Sequence, residues 1–85
     1  MYTSKKNYYE IVLEKSDISF NQVMEILGDV MAYDNIQAEQ VALILHYKET
    51  YSLMRSINTL LIAEISKKLE QTDLKFKVFS IQDKI

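Results

Sequence analysis

The sequence predicts an α+β domain in which three helices pack on one face of a three-stranded antiparallel sheet, in the order β-α-α-β-α-β. Three observations lead there. Apolar residues recur at every second position in Tyr9–Leu13 and Leu74–Val78. They recur at three and four in Phe20–Met31 and in the stretch that ends at Glu70. Good helix caps, Ser19, Asp34 and Asn58, stand in front of each helical stretch.

Tyr9-Glu-Ile-Val-Leu13 is rich in β-branched and aromatic residues and puts Tyr9, Ile11 and Leu13 on one face, so it reads as the first strand. Ser19 and Gln22 have the spacing of a capping box, in which hydroxyl and amide each satisfy an orphan backbone donor. Behind them Phe20, Val23, Met24, Leu27, Val30 and Met31 form one helical face, weakened by Gly28 by about 1 kcal/mol relative to alanine. A second helix starts after Asp34-Asn35 and runs to about His46. Its apolar residues, Ile36, Ala38 and Val41 to Leu45, cover more than one stripe, which predicts burial on two sides.

Tyr51–Arg55 reads as a short strand. Asn58 caps a third helix through Leu60–Glu70, with Leu61, Ile65 and Leu69 as its seam and Lys67 and Lys68 outside. Leu74–Val78 alternates strictly, and its lysines suit a sheet edge, where charge discourages pairing with other chains.

Composition bounds the function. Eighty-five residues make one domain, 1–85, with residues 1–8 as a short N-terminal tail. No cysteine and a single histidine exclude disulfides and the usual zinc clusters, and no metal or cofactor is expected. One glycine and no proline leave no Gly-rich phosphate cradle. A net charge of −2 gives no general attraction to nucleic acid. The longest apolar runs, Val41–Leu45 and Leu60–Ala63, fall far short of the roughly 18–20 residues of a membrane span, and MYTSKKNYY is no signal peptide. A cytoplasmic protein is expected.

His46 closes the apolar run VALILHYK. It can complement the helix dipole and cap carbonyls, or it can belong to a site. The nearest polar cluster is Glu14-Lys15-Ser16-Asp17. A Ser16/His46/Asp17 triad is disfavoured, because adjacent Ser and Asp cannot readily flank one imidazole and no oxyanion-hole glycine is at hand. No enzyme signature stands out.

YEIVL, SDIS, a helix ending MAYD and a second ending LILHYK resemble the ClpS family, adaptors of the ATP-dependent Clp protease. The resemblance runs from Tyr9 to about Gln82, with Ala32–Asp34, Ala38 and His46–Tyr47 as anchors. It implies a non-catalytic adaptor that binds N-degrons, proteins with a large hydrophobic N-terminal residue, and hands them to a Clp-type AAA+ unfoldase. By resemblance His46, Asp17 and Ser16 hold the α-amino group, while Ser19, Phe20, Val23, Ala42 and Leu45 form the apolar cup. That alignment places Lys15, Ser16 and Asp17 on the family's Asn-Asp-Asp segment; an ungapped one places Glu14, Lys15 and Ser16 there.

Either register brings Lys15 among the acceptors. Two cations about 4 Å apart repel by roughly 4 kcal/mol near a surface. A charge-assisted hydrogen bond returns only about 1.5–3 kcal/mol. The family's unfoldase-docking charges fall on Thr59 and Glu64, the latter a reversal, and the glycine that usually follows His-Tyr is replaced by Glu49. The alternative expectation is a ClpS-like interaction domain that has lost N-degron binding and docks a different protein partner.

Overall fold

The computed structural model describes residues 5–84. The elements are β1 (Lys5–Glu14), α1 (Phe20–Met31), α2 (Asn35–Lys48), β2 (Thr50–Ser56), α3 (Thr59–Glu70) and β3 (Lys75–Lys84). The expected order and class hold. The antiparallel sheet has the order β2-β1-β3, so the first strand is central and the lysine-bearing last strand is an edge.

β1 begins at Lys5, so residues 5–8 of the expected tail are strand; residues 1–4 lie outside the described region. The pattern missed this extension because KKN is polar and carries no apolar alternation. Its ladder partners are 81–84 of β3, which likewise runs beyond Val78. Before Tyr9, the first β1 residue to pair with β2, the sheet is a two-stranded ribbon of β1 and β3.

Register sorts the two faces. Ile11 and Leu13 are fully buried against the helices, opposite Val78 and Phe76. Glu10, Val12 and Glu14 point the other way, and Glu14 pairs with Lys77 at 3.4 Å. Ser52 and Arg55 of β2 are three residues apart, which in a regular strand would put them on opposite faces. The register shift between Ile11 and Val12 inserts one residue into β2, so that Leu53 and Met54 both contribute to the core. Ser52 and Arg55 consequently converge on one carboxylate oxygen: Ser52 Oγ and Arg55 Nε both donate to Glu10 Oε2. These two bonds, the hydroxyl first, hold the Glu10 carboxyl below its ordinary pKa.

Each helix starts at the cap that the sequence offers. Ser19 and Gln22 close a reciprocal capping box, and Asp34 with Gln37 closes a second one. Asn58 Oδ1 accepts from the N–H of Leu60 and of Leu61. Two helices end on residues in the left-handed region, Ala32 at φ 56° and Glu49 at φ 69°.

Burial corrects two expectations. On α2 the buried residues are Ala38, Val41, Ala42 and Leu45, one stripe only, whereas Ile36, Leu43 and Ile44 are exposed. The sheet is covered by three helices in one layer, so α2 has no second layer against its outer side. On α3 the seam is Ile62, Ile65 and Leu69, and Leu61 lies at its border. Ile62 and Leu61 are both within one turn of Ile65, so spacing alone could not choose between them.

Candidate functional site

The site forms where the segment after β1 meets the end of α2. Lys15 N–H donates to the carbonyl of Glu49, 2.9 Å away. That bond ties the loop leaving β1 to the residue that caps α2, whose own N–H donates back to Leu45. Glu49 reaches this position by adopting the left-handed conformation that glycine favours. The backbone turn therefore exists here despite the glutamate in the place where the resemblance expects glycine.

Between these segments lies a cavity of about 50 Å³, lined by Lys15, Ser16, Ile18, Phe20, Val23, Ala42, Leu45 and His46. Phe20 and Val23 come from the first turn of α1, and Ala42, Leu45 and His46 from the last two turns of α2. Leu45 and His46 lie three and four residues after Ala42, and thus on one side of the helix. The apolar wall is continuous with the core, since Val23, Ala42 and Leu45 are buried.

Six of the eight residues expected to bind, Ser16, Phe20, Val23, Ala42, Leu45 and His46, line this one cavity. Asp17 and Ser19 do not line it. Asp17 is exposed, and Ser19 is committed to capping α1, with its hydroxyl accepting from Gln22 N–H at 3.1 Å. Glu14, the other carboxylate considered for the acceptor segment, faces Lys77 across the sheet. Both alignments therefore leave Lys15 and Ser16 as the residues of that segment that reach the cavity, and neither brings a carboxylate to its lining. Ile18 is a lining residue that the resemblance did not supply. Its signal was its place as the lone apolar residue in the EKSDIS loop.

The polar side of the cavity has one unsatisfied group. Ser16 Oγ is buried and has no hydrogen-bond partner among the described residues. An unpaired buried hydroxyl costs about 1–3 kcal/mol. His46 is exposed in the last turn of α2, where a cation also favours the helix dipole. Its ring meets Tyr47 edge-on, with centroids 5.2 Å apart. Lys15 makes no ion pair among the described residues.

The proposed docking residues are elsewhere. Thr59 opens α3 and Glu64 is exposed on it, 3.7 Å from Lys68. Among the described residues no cluster of His, Cys, Asp or Glu could hold a metal ion, and no helix is long and apolar enough to cross a membrane.

Fold and site together define a class: a two-layer α+β domain with a small, apolar-walled cavity lined on its polar side by a lysine, a serine and a histidine. The particular likeness is structural. ClpS2 of Agrobacterium tumefaciens, in a structure with L-phenylalaninamide bound, matches with a TM-score of 0.74 over 89% of this chain and 99% of that one, at 12% identity. The chain has a ClpS-like fold. No protein-family model matches the chain, and neither does any curated protein.

Proposed function

We propose that this protein is a non-catalytic adaptor that takes the apolar terminal residue of another protein into the cavity between α1 and α2, for delivery to a Clp-type AAA+ unfoldase. The observation that carries this reading is the convergence of Ser16, Phe20, Val23, Ala42, Leu45 and His46 on one cavity. The structural neighbour adds support. Its ligand, L-phenylalaninamide, is an aromatic residue with a free α-amino group and a capped carboxyl, the chemical form of a protein's first residue. Small apolar-walled cavities with a few polar groups at one side are the usual form of a site for such a group.

Isothermal titration with peptides beginning Phe, Leu, Tyr or Trp, each beside its N-acetylated control, tests the N-degron form of the reading. Absence of heat at millimolar peptide sinks it. Capture of a AAA+ unfoldase from lysate tests delivery, with Thr59, Glu64 and their neighbours on α3 as the contact surface.

One observation favours a second reading, an interaction domain that has lost N-degron binding. Lys15 lines the cavity and Asp17 does not, so the lining holds a cation and no carboxylate. In that reading His46→Ala leaves partner capture intact, whereas charge changes at Glu64, Lys67 or Lys68 weaken it.

A further inference from the structure

We infer that the terminal group this cavity accepts is a carboxylate, so that its ligand is an apolar C-terminal residue. The inference rests on the reading that the cavity binds a protein terminus and concerns which terminus.

The rim decides it. The polar residues lining the cavity are Lys15, Ser16 and His46. A lysine ammonium carries three donors and no acceptor. Serine and histidine can each donate as well as accept. An α-ammonium carries only donors, needs acceptors and is repelled by Lys15. A carboxylate is its complement: two oxygens that accept, and a charge opposite to that of Lys15.

Two features make the rim available. Among the described residues Lys15 forms no ion pair and Ser16 Oγ has no hydrogen-bond partner. The carboxylates that could neutralise Lys15 locally are held away from the lining. Glu14 is paired with Lys77, and neither Asp17 nor the Glu49 side chain lines the cavity. The apolar wall of Phe20, Val23, Ala42 and Leu45 then takes the last side chain.

The test uses N-acetylated peptides ending in Phe, as free acid and as carboxamide, with a peptide that begins with Phe and has a free amine as third arm. The acid is expected to bind at least about tenfold more tightly than the amide, the scale of one charge-assisted hydrogen bond. Lys15→Gln should remove most of that ratio without changing the melting temperature, and added salt should narrow it. Equal binding of acid and amide, or tighter binding of the free-amine peptide, overturns the carboxylate while leaving the cavity as a terminus site. If none of the three binds at millimolar concentration, both readings fall.

Discussion

Leu45 and Ile36 stand on the same helix, are both apolar, and belong to a stretch whose composition implies burial on two sides. The structure separates them: Leu45 is 2% exposed, Leu43 40% and Ile36 70%. Leu45→Ala removes a side chain enclosed by the core and leaves a void, which costs about 2–5 kcal/mol. A domain of this size has about 4–13 kcal/mol in total. At about 4–8 °C per kcal/mol, the melting temperature should fall by at least about 8 °C.

Ile36→Ala gives up little buried area and replaces a β-branched residue by the best helix former, so its cost stays within about 0.5 kcal/mol. Leu43→Ala falls between, at about 1 kcal/mol, because roughly half of a leucine's burial is at stake and no closed cavity forms. Urea denaturation of the three variants, analysed at constant m-value, gives the comparison. Equal losses at Leu45 and Ile36 would refute one-sided packing of α2 and restore the two-sided burial that composition implies.

Other consequences are smaller and equally direct. Gly28→Ala should stabilise by about 0.5–1 kcal/mol, since a Cβ there meets nothing nearer than the Tyr33 carbonyl at 3.7 Å; a loss in thermal denaturation contradicts this. Glu49→Gly should gain up to about 1 kcal/mol by relieving the left-handed residue at φ 69°, and a loss would show that the glutamate side chain contributes to the turn. Glu10→Gln should cost about 1 kcal/mol at neutral pH, a modest figure because Arg55 is largely exposed. The folded-state pKa of Glu10 is lowered, so its contribution is complete above the ordinary value of 4.5 and is lost as pH falls through the lowered one. Wild type and variant should therefore converge in acid, and a gap that persists there contradicts the sign. His46→Gln should leave stability almost unchanged and weaken peptide binding; unchanged binding would return His46 to the role of a helix-end group.

The fold was largely legible because the local signals agreed with one another. The caps at Ser19, Asp34 and Asn58 mark the helix starts, and the alternation in Tyr9–Leu13 and Leu74–Val78 marks two of the three strands. What was not legible depends on partners far along the chain. The extension of β1 to Lys5 comes from ladder pairing with β3, and the meeting of Ser52 with Arg55 comes from a bulge that no short-range pattern encodes. One-sided burial of α2 depends on how many layers the fold has. In the site, VALILHYK and the loop before α1 are more than twenty residues apart in sequence, and a resemblance rather than periodicity joined them. The loop's charges were harder. Lys15 lines the cavity and Asp17 does not, and the bond from Lys15 N–H to the Glu49 carbonyl, which ties this loop to the end of α2, is not contained in an alignment.

A binding site for a terminal apolar residue in the cavity between α1 and α2 can be tested residue by residue. The most direct measurement is a heteronuclear NMR titration of the 15N-labelled protein with peptides carrying phenylalanine at either end. Shift changes should concentrate on Lys15, Ser16, Phe20, Val23, Ala42, Leu45 and His46, and replacing the phenylalanine by glycine should abolish them. Changes confined to α3 or to the open face of the sheet, or none at millimolar peptide, would contradict it.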